Sequence, residues 1–211
     1  MRTIFIALLI IASCYAKDTK ATPVKILMCV PNGFHPMEYF KPREYFDKQK
    51  CEVQVASKFD APLTPDHRFI DKYPKVIPQL TMDQVDIKNY DVIVFVGGNG
   101  AWEDFFPNKD AHKIVVDTIK SKKKLALICS AVGLLGFTKN LDGKGQPVAE
   151  GRQVTGYKKV AGILNIFGKV RYTSGDPSKP HVVVDGNLIT ARDQYSADLF
   201  AKTIMSNLKK N

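Results

Sequence analysis

Three short segments of the sequence carry residue types that could do chemistry together. Cys129 ends the apolar run 125–128 and precedes Ser130, where the chain is expected to turn from strand into helix. A side chain at such a turn projects above a sheet, which is how hydrolases present a nucleophile. The N–H groups and dipole of a helix starting there would favour a negative sulfur. A thiol with a pKa of ~8.5 is roughly 7% ionised at pH 7.4, and a fall of about 3 units makes it almost fully thiolate. A buried cysteine that only packs is the usual fate of a free Cys, and that alternative stays open here. Gly97 and Gly98 could present backbone N–H groups to an oxyanion, since glycine lets the chain approach closely. Glu38 reads, from pattern alone, as a surface carboxylate on a helix, with His35 three residues before it. His67, His112 and His181 fall on loop, helix or strand positions away from these segments and read as surface residues. Gly98-Asn99-Gly100 lacks the third glycine of a dinucleotide fingerprint.

Strands alternating with helices would bring those segments together. Apolar runs at 24–30, 91–96 and 125–128 read as buried strands, the first two ending in Pro31-Asn32-Gly33 and Gly97-Gly98-Asn99-Gly100. A second strand is expected at 51–56, a short one within 73–80, and others at 153–156 and 166–172. Residues 182–190 read as a hairpin around Asp185-Gly186. Helices are expected at 36–48 with a kink at Pro42, at 110–121, at 130–137 and at 194–208. This pattern predicts an α/β fold, a three-layer sandwich around a mostly parallel, flavodoxin-like sheet. Functional sites in such sheets lie beyond the C-terminal strand ends, which is where residues 31–38, 97–100 and 129–130 arrive.

Composition removes several other classes. With 45% hydrophobic and 25% charged residues the chain is neither disordered nor collagen-like. No apolar run reaches the roughly 18 residues of a membrane span. Four Cys without a C-x-x-C pair support neither a disulfide scaffold nor a structural zinc site. The net charge of +10 comes from basic residues spread along the chain. Lys122-Lys123-Lys124 and Lys209-Lys210 fall near a helix end or the terminus, where cations complement a dipole and stay solvated. No specific nucleic-acid partner follows.

Arg2 and the apolar residues 4–12 have the form of a signal peptide, with cleavage after Ala16, and predict a secreted or periplasmic protein. Ile11-Ala12-Ser13-Cys14 offers the alternative of a lipoprotein anchored through Cys14. Either route leads to an oxidising compartment. Cys29 and Cys51, on neighbouring parallel strands, would be offset by about 10 Å, beyond disulfide reach. Both are assigned to packing.

Taken in order, residues 24–30 with Gly33 and Met37-Glu38, residues 91–98, Leu127-Ile128-Cys129 with Gly133-Leu134-Leu135, Gly151-Arg152-Gln153-Val154-Thr155 and residues 186–191 resemble the DJ-1/PfpI superfamily, within the class I glutamine amidotransferase-like fold. The resemblance covers about residues 24–208 and implies a homodimer or larger assembly without metal or cofactor. It implies that Cys129 is the reactive cysteine and that Glu38 reaches it from the first helix. It also implies that Gly98 and the Ser130 N–H are the backbone donors for an oxyanion. A carboxylate beside a thiolate raises both pKa values, so Glu38 is expected to keep or share a proton. Ser130 stands where peptidase-like members carry His, and Tyr157 where deglycase-like members do; His35 is the remaining accessory candidate. Peptidase chemistry is thereby disfavoured, and no His-x-Glu partner exists for an amidotransferase. Two readings follow: a glyoxalase- or deglycase-like enzyme acting on a small carbonyl compound or its adduct, and a non-enzymatic redox protein whose Cys129 oxidises to a sulfinate.

Overall fold

A computed structural model describes residues 22–140 and 144–208. The expected leader over 1–16, Cys14 and the Lys209-Lys210 pair lie outside the described residues. The main sheet has seven strands: β1 (Lys25–Cys29), β2 (Glu52–Ser57), β3 (Leu80–Thr81), β4 (Val92–Phe95), β5 (Lys124–Ile128), β8 (Val182–Asp185) and β9 (Leu188–Ala191). Their order is β3-β2-β1-β4-β5-β9-β8, and every pairing is parallel except that of β8 with β9. Two further short strands, β6 (Gln153–Val154) and β7 (Arg171–Tyr172), pair separately.

The central strands are unbroken apolar runs because both of their faces are covered. Leu27, Cys29, Ile93, Phe95, Leu125 and Leu127 point to one face, against α2 (Ala101–Asp104), α3 (Lys109–Lys120), α4 (Leu134–Phe137) and α5 (Ala161–Ile166). The alternate residues Ile26, Met28, Val92, Val94, Ala126 and Ile128 point to the other, against α1 (Pro36–Lys48) and α6 (Ala197–Leu208). This period-two division of a continuous hydrophobic run yields two cores and three layers.

Several elements differ from their sequence reading. No strand spans 73–80; Val76 makes an isolated bridge to Leu63, and the strand is Leu80–Thr81, at the sheet edge. The run 166–172 contains the end of α5 and just two strand residues, because Ile163 and Leu164 complete an amphipathic turn against α4. Helix α1 passes through Pro42 without interruption, so the one missing N–H is tolerated. The helix expected at 130–137 is a 3-10 turn, Cys129–Gly133, followed by the single turn of α4. Cys29 pairs with Ala56 while Cys51 precedes the partner of Lys25, and no disulfide joins Cys29, Cys51 and Cys129 to one another.

Sheet order reverses between β1 and β4, so the loops leaving these two strands diverge and open a crevice. Phe34 stitches the crevice, bridging to Gly98 on one side and to Pro65 on the other. The backbone bonds Gly33 N–H to Thr64 O (2.8 Å) and Asp66 N–H to Phe34 O (2.9 Å) draw the irregular segment after β2 over the same strand ends.

Candidate functional site

Cys129 leaves β5 with φ +60°, a left-handed conformation that β5 forces on a residue with a Cβ. The turn lifts its side chain to the floor of a cavity of about 370 Å³. The sulfur-bearing residue is 8% exposed, and Glu38, from the first turn of α1, is wholly buried beside it. Gly97 makes this approach possible. A Cβ there would come within 2.5 Å of Glu38 Oε2, 2.7 Å of the Ile128 carbonyl and 2.8 Å of the Cys129 Cβ. Glu38 is therefore no surface carboxylate; the end of β4 is bare so that it can reach the elbow.

Burial, above all, pushes the Glu38 carboxyl up to about 8, and the charge of Asp193 adds to the rise. The Cys129 thiol and the Gly97 N–H pull it partly back, yet neither carboxyl oxygen has a donor at full hydrogen-bond geometry. Burial also pushes the Cys129 thiol up, and the carboxyl of Glu38 raises it further; the Ser130 N–H opposes both. The thiolate expected from a helix N-terminus is thus not favoured at rest. A five-residue 3-10 turn offers little dipole, and desolvation in a closed site outweighs it. The pair retains protons at neutral pH.

The expected backbone donors are unequal. Ser130 N–H faces the sulfur, but Gly98 N–H donates to Ser130 Oγ (3.0 Å), which itself donates to Gly98 O (2.7 Å). The residue after the cysteine is therefore a clasp between two loops rather than a base. Tyr157 lines the cavity, and its backbone N–H donates to Cys129 O (3.1 Å). His35 lines it too; its Nδ1 is buried without a hydrogen-bond partner, and burial together with the Arg68 charge pushes the ring pKa down. His35 is therefore mainly neutral near pH 7.

His67 is exposed, as its sequence reading has it, but it is not away from the site: it stands on this cavity wall, as do Arg68, Asn99, Trp102 and Lys159. Asp66, 1% exposed, fixes this wall: it accepts from Arg68 Nε at 2.8 Å and from Asn99 Nδ2 at 2.5 Å. The sequence holds a turn signal at Pro65-Asp66, and the Asp66 side chain does accept from the Arg68 N–H. Only the tertiary bridges to Phe34 bring that turn to the cysteine. His112 is off the site, bonded through both ring nitrogens to Thr138 Oγ1 and Phe106 O, each at 2.7 Å. His181 packs against Gly175, also away from the cavity. Among the described residues no cluster of three or more His, Cys, Asp and Glu is placed to hold a metal. No helix among them is long and apolar enough to cross a membrane.

Comparisons with known proteins bear on the fold and the family. The chain is 26% identical over 178 residues to Deglycase TK1284 of Thermococcus kodakarensis, covering 84% of this chain and 94% of that protein. It is 26% identical over 145 residues to the probable glutathione-independent glyoxalase hsp3103 of Schizosaccharomyces pombe, covering 59% and 56% of the two chains. A ThiJ/PfpI domain protein from Brachyspira murdochii superposes with a TM-score of 0.76 at 22% identity, over 90% of this chain and 99% of that one, and shares the fold. The DJ-1/PfpI family profile matches residues 24–207, nearly all of the described sheet and its helices, and the chain belongs to the DJ-1/PfpI family.

Proposed function

We propose that Cys129 and Glu38 act together on a reactive dicarbonyl or its adduct, in glyoxalase- or deglycase-type chemistry. The observation that carries this reading is the buried Glu38 carboxyl, without a full hydrogen bond, held against a cysteine on a left-handed turn. The names of the Thermococcus and Schizosaccharomyces relatives favour the same chemistry. On a dicarbonyl such as methylglyoxal, the sulfur forms a C–S bond to the aldehyde carbon. The C=O π pair becomes a hydroxyl by taking the thiol proton, relayed by Glu38, which is ionised in the reacting fraction of molecules. Glu38, left ionised, then accepts the proton on that carbon and returns it to the neighbouring carbonyl carbon, while the new hydroxyl's proton passes to the neighbouring oxygen, which leaves a thioester. Water cleaves the thioester, releasing a 2-hydroxy acid and the thiol.

A Glu38 pKa near 8 suits this shuttle, because both protonation states are then reached near neutral pH. Ser130 N–H would stabilise the oxyanion, joined by Gly98 N–H once Ser130 Oγ turns away. His35 and Tyr157 would serve as accessory groups on the wall. Methylglyoxal consumption and 2-hydroxy acid formation test the proposal. Turnover by the parent protein that is lost in both Cys129→Ser and Glu38→Gln is expected. Turnover that survives in Cys129→Ser would overturn it.

A second reading rests on the same unpaired carboxyl. Two equivalents of peroxide would convert the thiol to a sulfinic acid with release of two waters, and protonated Glu38 could donate to the new oxygens. The leader expected over residues 1–16 would deliver the chain to a compartment where such oxidants act. A gain of two oxygen atoms confined to Cys129, in a protein without turnover, would favour this reading over the first.

A further inference from the structure

The cavity above Cys129 has a marked charge asymmetry. Arg68 and Lys159 line it, His35 and His67 add ring nitrogens, and no carboxylate is among its lining residues. The acids nearby are engaged or hidden. Asp66 is buried behind the wall and held by Arg68 and Asn99. Asp193 pairs with Arg192 at 2.9 Å, and Glu38 lies beneath the floor. Arg68 is fixed by Asp66 through Nε and Nη2, at 2.8 and 3.3 Å, so its guanidinium is oriented before any ligand arrives. It is also close enough for a negative charge on Cys129 or Tyr157 to stabilise its own positive charge.

Resting on the reading of Cys129 as the nucleophile, we propose that the substrate carries a carboxylate near its reacting carbonyl, and that Arg68 and Lys159 recognise it. A neutral dicarbonyl would offer no anionic acceptor to Lys159 or to the edge of Arg68 turned away from Asp66. A carboxylate near the carbonyl offers Arg68, on the wall of the same cavity as Cys129, a planar acceptor. Arg68 is then a specificity residue; the covalent step remains with Cys129 and Glu38.

Two alkylating reagents of nearly equal size read this charge preference without requiring turnover: iodoacetate, a carboxylate, and neutral iodoacetamide. Rates at Cys129 are followed by mass spectrometry of its peptide and normalised to the rate ratio on a free cysteine derivative under the same conditions. The full chain is expected to favour iodoacetate by about tenfold at low salt. Raising the ionic strength to 1 M should bring that preference to within about twofold, because the Debye length falls to roughly 3 Å. Arg68→Met should remove most of the preference and Arg68→Lys should retain part of it. Lys159→Met, an exposed change that leaves Asp66 paired, should lower it independently. A full-chain ratio equal to that of the free thiol, with Cys129 readily alkylated, would overturn the charge preference alone. Failure of both reagents to reach Cys129 would overturn the nucleophile assignment along with it.

Discussion

Cys29 ends β1 and Cys129 follows the last residue of β5, two strands that flank β4 in one sheet, and both are withdrawn from water. Their surroundings differ in one turn of backbone. Cys29 continues the strand pattern, points into the core shared with α3, and is held far above the usual thiol range by desolvation alone. Cys129 turns to φ +60°, crosses to the opposite face, and meets a carboxyl and a cavity. Burial by itself makes a cysteine inert. What separates the two is the neighbour: the carboxyl of Glu38 acts on the Cys129 thiol, while burial alone holds up Cys29.

The sharpest way to break this comparison is to exchange the two sulfurs for other atoms. Cys129→Ser should lower methylglyoxal turnover on the order of a thousandfold or more, whereas Cys29→Ala should leave it within about twofold. Equal losses in steady-state assays would mean that the elbow carries no special chemistry.

Next in size is the pH dependence of stability at Glu38. Its folded pKa of about 8 lies above the ordinary value of 4.5, so the folded state binds more protons than the unfolded state between these limits. The Glu38 contribution to stability then falls as pH rises from about 4.5 to 8, by up to ~1.4 kcal/mol per pH unit, against the opposite contribution of His35 and His181. In Glu38→Gln this slope should flatten, which denaturant midpoints at pH 5, 6, 7 and 8 would reveal. An unchanged slope would place the raised proton elsewhere.

Gly97→Ala inserts a methyl where Glu38 Oε2, the Ile128 carbonyl and the Cys129 Cβ already converge. Overpacking of this kind costs about 1–3 kcal/mol. Urea unfolding should show that loss, and Cys129 alkylation should lose its dependence on Glu38. Smallest is Cys29→Ala, which removes one buried sulfur from a core that keeps its shape. A loss of about 1 kcal/mol in the same unfolding experiment is expected.

Much of this contrast was legible in the sequence, because it follows from local pattern. The unbroken apolar runs around residues 26–29, 92–95 and 125–128 could belong only to strands buried on both faces, and the chain from Ile128 to Ser130 had to turn there. Glu38 was legible only through the family resemblance. Its burial depends on the missing Cβ at Gly97, nearly sixty residues away, and on the packing of α1 against α6. His67 and Arg68 were missed for a related reason. Residues 57–79 have no periodicity, and their place over the site is set by the bridges from Phe34 to Pro65 and from Leu63 to Val76. A thiolate at Cys129 is disfavoured because the sulfur is buried beside Glu38 and the helix expected over 130–137 begins as a 3-10 turn with little dipole.

The left-handed turn at Cys129 has a consequence for how this protein would respond to selection. A residue with a Cβ held at φ +60° carries backbone strain on the order of 1 kcal/mol, which glycine relieves. A library at position 129 screened solely for heat resistance should therefore enrich glycine, and asparagine behind it, over the native cysteine. Heat-hardened descendants from such a screen would keep the sheet and the cavity while discarding the sulfur, so durability and reactivity pull this one position in opposite directions.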